Sequence, residues 1–388
     1  MKDRTLLMIP GPIEFEPAVL AALGAPTTSH VAPEFVHAFG QALDQMREVW
    51  LAPQGQPFAV AGSGTLAMEL AVANLVEPGD RALVLNTGYF SDRMADILAR
   101  HGASVDQVRA PLGGSVDPDE VERQLKAADY RLLTITHVDT STGVRVDPQP
   151  VAALAQERGI LTILDGVCSV AGEELRQEAW GIDVALTASQ KAIGVPPGLA
   201  LLVASPQAMD TWRKRRTPVL SYYADWSNWL PIMEAYQERR PSYFGTPGVN
   251  LLWALNVSLG QILEEGMEAR FARHRRIARG MQAAIRAIGL GQVPRDLRDA
   301  AYTLTAPRYP EGVTGADLLP RVRAAGVILA GGLHPAIRAE YFRIGHMGAV
   351  KAGDLLAAVS AIEAGLQACG YPFEPGVGVA AAQQALLE

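Results

Sequence analysis

The chain has few cysteines, few lysines and no long apolar run, and each shortage excludes a class of protein. Its two cysteines, Cys168 and Cys369, lie far apart and match no metal-ligand spacing, so we predict no metal site and a reduced, cytoplasmic setting. No apolar run reaches the ~18 residues that a membrane span needs, so no membrane association is expected. Prolines interrupt MKDRTLLMIPGPIEFEP too early for the apolar region of a signal peptide. The net charge of −7 leaves no basic surface for a nucleic-acid backbone.

Short apolar runs alternate with helical stretches over the first half of the chain. The runs are FAVA (58–61), ALVLN (82–86), RLLTITH (131–137), ILTILD (160–165), VALT (184–187) and LALLVA (199–204). Because they lack polar alternation and stand between amphipathic helices, they predict an α/β fold whose mostly parallel sheet is covered by helices on both faces. Ligands bind such sheets at the carboxyl ends of the strands.

The pattern changes after about residue 205, where tryptophan, tyrosine and proline become frequent. A long helical stretch is predicted over about 249–290, and the remainder indicates a small α+β domain. We therefore predict three parts: an N-terminal arm over 1–20, a large domain over 21–265 and a small C-terminal domain over 266–388.

Lys191 is an unusual lysine in this chain. The others, at positions 2, 126, 214 and 351, lie in polar, charged or terminal contexts, whereas Lys191 lies in the uncharged stretch LTASQKAIGVPPGLALL. A lysine is most often an exposed surface group. If Lys191 is instead buried just after a strand, burial lowers the pKa of its ammonium group. A lowered pKa is what a lysine needs to form a Schiff base.

Asp165 ends the strand-like ILTILD, so its side chain should lie at the ligand-binding edge of the sheet. It is either an ordinary turn or N-cap aspartate or the partner of a protonated ring nitrogen on a cofactor.

The segment AGSGTLAME follows the strand FAVA and is typical of an anion site at a helix N-terminus. Gly62, Gly64 and Ala67 also match the dinucleotide pattern GxGxxA. That pattern requires an acidic residue at the end of the next strand, but this strand ends in Asn86. A monophosphate is therefore favoured over a nicotinamide dinucleotide.

Two further polar residues are candidates for substrate contacts. Ser141 lies in THVDTSTG, which follows the strand RLLTITH and is either a ligand-facing hydroxyl cluster or a plain turn. Arg343 lies in the apolar YFRIG, where its partner is either a structural carboxylate or a substrate carboxylate.

Taken together, these segments resemble the class V (fold-type I) aminotransferases that use pyridoxal 5′-phosphate (PLP), and within them the alanine–glyoxylate aminotransferases. The resemblance covers nearly the whole chain. Its most specific blocks are SQKAIG and the pair GGLH and RIGHMG, with further matches in TGYFSDRMAD, THVDTSTG, ILDGVCS and YFGTPGVN. It implies the fold-type I architecture, with a large PLP-binding domain and a smaller C-terminal domain.

The resemblance also implies roles for individual residues. Lys191 matches the Schiff-base lysine and Asp165 the partner of the pyridine nitrogen. The remaining cofactor-binding matches are Ser63, Gly64, Thr65 and Gln190 at the phosphate, Phe90 as a stacking ring where the family often has tryptophan, and Tyr243 and Thr246, which reach the phosphate of the neighbouring subunit. The substrate-binding matches are Arg343, Ser141 and Gly11.

The implied activity is transfer of an amino group from L-alanine, or from L-serine, to glyoxylate, giving pyruvate and glycine in the alanine case. The implied assembly is a homodimer with shared sites. Alternatives within the family are a serine–pyruvate or an aspartate aminotransferase. A cysteine desulfurase would need a mobile reactive cysteine, whereas Cys168 follows a buried strand and Cys369 lies in a C-terminal helix. A PLP-binding protein without turnover is disfavoured because Lys191, Asp165 and Arg343 are all present.

Overall fold

The structure is a computed structural model, and it describes residues 5–387. The strands in this range are β1 (Leu6–Leu7), β2 (Gln56–Ala61), β3 (Arg81–Asn86), β4 (Ser104–Arg109), β5 (Leu132–Thr136), β6 (Val138–Asp139), β7 (Val144–Arg145), β8 (Leu161–Asp165), β9 (Val184–Ala188), β10 (Leu199–Ala204), β11 (Leu304–Thr305), β12 (Val327–Ile328), β13 (Ala330–Gly331) and β14 (Phe342–Gly345). The helices are α1 (Pro17–Leu23), α2 (Pro33–Val49), α3 (Gly64–Leu75), α4 (Tyr89–Arg100), α5 (Pro118–Ala127), α6 (Pro148–Gln156), α7 (Pro206–Arg213), α8 (Trp226–Gln237), α9 (Val249–Glu265), α10 (Met267–Ala287), α11 (Gly315–Ala324), α12 (Ala352–Ala368) and α13 (Val377–Leu387). None of these helices is long and apolar enough to cross a membrane.

The central sheet has seven strands in the order β2-β10-β9-β8-β5-β3-β4. All neighbours pair in parallel except β10, which is antiparallel to both β2 and β9. The predicted α/β class with a mostly parallel sheet is confirmed. The direction of β10 could not be foreseen, because a strand buried on both faces is a continuous apolar run whichever way it points.

Both faces of the sheet are buried, and the side chains of the single apolar strand β3 pack into two different hydrophobic clusters. Ala82 and Val84 face the large core that also contains α2 and α3 residues. Leu83 and Leu85 face a separate cluster that contains residues of α5 and α6. Successive side chains of a strand point to opposite faces, so helices are needed on both sides of this sheet.

Several helices begin with the same local signal, an N-cap side chain followed by proline. Asp117, Asp147 and Ser205 cap α5, α6 and α7, and each accepts a backbone N–H from the first turn of its helix. Proline suits the next position because that residue needs no hydrogen-bond donor. These signals fix the residue at which each of the three helices begins.

The C-terminal part of the chain surrounds its own hydrophobic cluster, which contains residues of α10, α11, α12 and β14. The N-terminal strand β1 pairs in parallel with β12, and Met8 is buried in this second cluster, whereas Ile13 is buried in the large core. The apolar end of the chain forms α13, with Ala382 in the same cluster. The bounds 1–20, 21–265 and 266–388 stay predictions.

The helical stretch predicted over about 249–290 is interrupted. α9 ends at Glu265 and α10 begins at Met267, and the residue between them, Gly266, has φ +81° and ψ 138°. This backbone conformation is strongly unfavourable for any residue with a side chain. Glycine therefore permits the change of direction between the two consecutive helices.

We expect Gly266→Ala to lower the free energy of unfolding by about 1–3 kcal/mol, because alanine is strained at this positive φ. Gly353→Ala is the matched control, since Gly353 lies in α12 and an added methyl group meets nothing within 4 Å at either position. The control should be neutral or stabilise by up to about 1 kcal/mol. Urea unfolding measures both, and equal effects would contradict the argument.

Candidate active site

Lys191 lies in a tight turn after β9, at the carboxyl edge of the sheet. The hydroxyl of Ser189 donates to the carbonyl of Pro196 (2.8 Å) and accepts the N–H of Leu199 (3.2 Å), which closes the turn onto the start of β10. The turn therefore holds the lysine against the sheet.

The amine of Lys191 donates to the backbone carbonyl of Pro10. Gly11, predicted beside the substrate, lies directly on this side chain: a methyl group at Gly11 would be 2.6 Å from Lys191 Cδ and 2.8 Å from Nζ. Gly11 also has φ +115°, so both space and backbone require glycine here. Burial lowers the pKa of Lys191.

A buried arginine that the sequence analysis missed supports the residue after the lysine. Arg270, in α10, donates to the carbonyl of Ala192 (2.6 Å) and to that of Ala171 (2.7 Å). Glu265 supplies its counter-charge at 2.9 Å. In the sequence Arg270 is one of many arginines in a polar helix, and nothing local distinguishes it from a solvated one.

Asp165 ends β8 and is 3% exposed. Its Oδ1 accepts the N–H of Val167 (3.0 Å), so the turn role considered from the sequence is real. Oδ2 makes no hydrogen bond to any residue of the range 5–387. Burial raises the pKa of Asp165 to about 6, and nearby Asp139 adds to the rise. One oxygen is thus fixed while the other is open to a partner.

The loop between β2 and α3 presents a helix N-terminus to the same edge. Ser63 is the N-cap of α3, yet its hydroxyl makes no capping bond, and the first N–H groups of a helix have no intrahelical partner. Gly64 lies against the turn that follows Asp165, because a methyl group there would be 2.9 Å from Val167 Cγ2. Thr65 is exposed. These three residues lie together as predicted, and an anion fits there.

Gln190 precedes the lysine, and its carbonyl accepts the N–H of Ile13 (3.3 Å). Its side-chain Oε1 is buried without a hydrogen-bond partner in the described part of the chain. A buried amide of this kind costs free energy unless a ligand or water completes it.

Asp139 organises the loop THVDTSTG and was not singled out from the sequence. It is fully buried, and its carboxylate accepts the N–H groups of Phe90 (3.0 Å), Ser91 (3.3 Å) and Ser141 (2.9 Å). Burial raises the pKa of Asp139, while these hydrogen bonds oppose the rise. An aspartate between Val138 and Thr140 resembles a turn residue, so its link to α4 was not visible locally.

Ser141 is fully buried and its hydroxyl is already engaged. The hydroxyl donates to Asp139 Oδ1 (2.6 Å) and accepts the N–H of Tyr89 (3.1 Å). In this arrangement Ser141 holds the start of α4, and its contact with a substrate stays a prediction.

Phe90 lies in the first turn of α4, where Asp139 fixes its backbone. The guanidinium of Arg93 lies 4.9 Å from the centre of the Phe90 ring and donates to Thr65 Oγ1 (3.0 Å). The predicted stacking ring and the predicted phosphate loop are therefore brought together by a residue that the sequence analysis did not name.

Arg343 lies in the centre of the small sheet, opposite Ala330 of β13. Its Nε donates to the carbonyl of Gly331 (2.9 Å) and its Nη1 to that of Thr140 (3.3 Å). No carboxylate of the described chain lies within 4.0 Å, which excludes a structural carboxylate among those residues as its partner. Burial lowers the pKa of Arg343, yet a guanidinium stays charged, so this cation lacks an anion.

Tyr243 and Thr246 are the two predicted residues that one chain does not bring to Lys191. Tyr243 is 63% exposed with its ring 5.3 Å from that of His30, and Thr246 is also exposed. Within residues 5–387 neither hydrogen-bonds to the loop at Ser63 or to Lys191.

We expect Asp165→Asn to stabilise the ligand-free protein as the pH rises. The pKa of Asp165 is raised from 3.8 to about 6 in the folded state, so its protonated carboxyl stabilises the fold fully below pH 4. As the pH rises to 7 the carboxyl ionises, and up to about 3 kcal/mol of this contribution to the free energy of unfolding is lost. Asparagine does not titrate, so the variant should gain on the wild type between pH 4 and pH 7 in urea unfolding. Asp317→Asn removes a carboxylate whose pKa Thr314 lowers, and it should show no gain. A pH-independent difference for Asp165 would contradict its burial.

Comparisons with known proteins agree with this geometry. The family model described as "Aminotransferase class-V" matches residues 19–358. The chain is 39% identical to alanine–glyoxylate aminotransferase 1 of Saccharomyces cerevisiae, over 89% of this chain and 93% of that protein. It is 34% identical to L-aspartate–glyoxylate aminotransferase of Paracoccus denitrificans, over 99% and 96% respectively. The solved structure of ureidoglycine–glyoxylate aminotransferase from Bacillus subtilis superposes with a TM-score of 0.93 at 26% identity, covering 100% of this chain and 99% of that one. The chain therefore belongs to the class V aminotransferases.

Proposed function

We propose that this aminotransferase uses PLP to transfer the amino group of L-alanine, or of L-serine, to glyoxylate. The observation that carries the proposal is Arg343, a partly buried cation without a carboxylate partner in the described chain. Burial lowers the pKa of the Lys191 amine, and Arg343 lies close enough for its charge to add to that lowering. An amino acid whose carboxylate binds Arg343 would therefore present its α-carbon near Lys191.

Class V aminotransferases use PLP, and the residues at this edge of the sheet fit that cofactor. The N-terminus of α3 with Ser63 suits a phosphate, since the N–H groups and the helix dipole favour an anion. The open Oδ2 of Asp165 suits a protonated ring nitrogen, and the unpaired amide oxygen of Gln190 suits a hydrogen-bond donor. The amine of Lys191 suits the aldehyde.

When bound, PLP supplies an electron sink that stabilises negative charge at the α-carbon of the amino donor. Asp165 keeps a proton on the ring nitrogen through a charge-assisted hydrogen bond worth about 1.5–3 kcal/mol. Arg343 binds and orients the donor carboxylate. Lys191, with its pKa lowered by burial, would take the proton from the α-carbon of the donor and deliver it to the carbon derived from the cofactor aldehyde, a role worth typically ~10²–10⁴-fold in rate.

The shape of the site favours a small donor with one carboxylate. Gly11 and Pro10 pack directly on the lysine, which limits the space beside the amine. Arg343 lies near Lys191 and supplies a cation for one donor carboxylate. L-aspartate is the second candidate donor, because the Paracoccus relative is named for it. Cys168 is fully buried and burial raises the pKa of its thiol, so it is poorly suited to desulfurase chemistry.

We also propose that the enzyme is a homodimer with shared sites. An apolar surface near Tyr243 is strongly exposed in the single chain, with Leu220 at 89% and Tyr222 at 77%. Exposed apolar patches of this kind mark protein interfaces. Tyr243 and Thr246 would then complete the phosphate site of the partner subunit.

The purified enzyme should convert L-alanine and glyoxylate to pyruvate and glycine, and Lys191→Ala should reduce turnover by at least ~10²-fold. Lys214→Ala, on an exposed lysine, is the control and should leave turnover unchanged. Competition among L-alanine, L-serine and L-aspartate, followed by product chromatography, identifies the donor. Full activity of the Lys191 variant would refute its role, and preference for L-aspartate would refute the donor assignment.

Mixing two inactive variants tests the shared sites. Lys191→Ala and the double variant Tyr243→Ala/Thr246→Ala should each be nearly inactive alone. After unfolding and refolding together, half of the dimers are hybrids with one intact site, so about a quarter of the wild-type activity should return. If each site belonged to one chain, no activity would return, and light scattering would report the oligomeric state directly.

A further inference from the structure

Arg93 lies on α4 three and four residues after Phe90 and Tyr89. Residues with these spacings share one face of a helix, so the arginine extends back over both rings. Its guanidinium lies 4.9 Å from the centre of the Phe90 ring and 5.3 Å from that of Tyr89. The two rings therefore hold the guanidinium in one place.

From this position Arg93 Nη1 donates to Thr65 Oγ1 at 3.0 Å, across the gap between α4 and α3. No carboxylate among residues 5–387 lies within 4.0 Å of Arg93. Arg109 differs, because it pairs with Asp92 at 2.7 Å. Arg93 thus has no direct ion-pair partner in this part of the chain beside the N-terminus of α3, and its charge acts on Asp165 only at longer range.

The hydrogen bond from Arg93 determines what the Thr65 hydroxyl can do. A guanidinium only donates, so the threonine oxygen must accept, and its own proton is left for another acceptor. Phosphate oxygens are acceptors. A phosphate monoester carries nearly two negative charges at neutral pH, while a helix N-terminus offers about half a positive charge, so a further cation is favourable here.

We propose that Arg93 is a positioning residue for the cofactor phosphate: it directs the Thr65 hydroxyl proton towards the phosphate and adds positive charge to the loop. The inference rests on the proposed use of PLP. It assigns to Arg93 a selectivity for the phosphorylated form of the cofactor, in addition to its packing on Phe90.

Comparing PLP with pyridoxal, which lacks the phosphate, separates this role from simple packing. Dissociation constants of both are measured on cofactor-free protein by quenching of its intrinsic fluorescence. Arg93→Leu should weaken PLP binding by about 10–100-fold, the loss expected for charge-assisted hydrogen bonds, and change pyridoxal binding by less than about threefold. Arg93→Lys should restore part of the PLP affinity, and Arg109→Leu, the control, should change neither.

Thr65→Val tests the route through the hydroxyl. It should also weaken PLP selectively, and the double variant Arg93→Leu/Thr65→Val should lose less than the product of the two single losses, because both act through one interaction. Since Thr65 is exposed, its variant is informative even if Arg93→Leu fails to fold.

Each other result overturns a defined claim. Equal losses for PLP and pyridoxal, or unchanged PLP binding, would refute the role of Arg93. Losses that multiply would refute its action through Thr65. Wild-type protein that binds neither compound would instead refute the proposed function.

Discussion

Removing a charged group from water costs free energy, and several charged groups lie together at the carboxyl edge of the sheet. Asp165 and Asp139 are buried and Lys191 and Arg343 are partly buried. Burial shifts the pKa of each group in the direction that favours its neutral form. Two solutions to this cost are visible. Asp139 is satisfied by backbone N–H groups, whereas Asp165 and Arg343 keep one side open. Charged groups that are shielded from water and lack a partner on one side are suited to ligands that bring that partner.

The residues that hold the site in place lie far from it in sequence. Asp139 fixes the backbone of Phe90, which lies 49 residues away, and Arg270 fixes the carbonyl of Ala192, which lies 78 residues away. Both act on main-chain atoms, so they set loop conformation without contacting the reacting groups. Such contacts give the precise geometry that a catalytic lysine requires.

Much of the architecture could be predicted from the sequence because its signals are local. Continuous apolar runs between helices predicted the sheet, and the uncharged surroundings of Lys191 and the strand-end position of Asp165 predicted that they lie at its edge. The direction of β10 and the break at Gly266 depend on tertiary packing and on one backbone angle, which the pattern does not encode. Asp139, Arg93 and Arg270 were missed for a related reason: each resembles an ordinary turn or surface residue until its distant partner is known.

The N-terminal segment has a mechanical consequence. Leu6 and Leu7 are paired to β12, Met8 is buried in the C-terminal cluster, the carbonyl of Pro10 accepts the Lys191 amine, and Ile13 is anchored in the large core. Within eight residues the backbone thus ties both cores to the lysine. A displacement of one core relative to the other would move the Pro10 carbonyl. The hydrogen bond between that carbonyl and the Lys191 amine therefore depends on the relative position of the two cores.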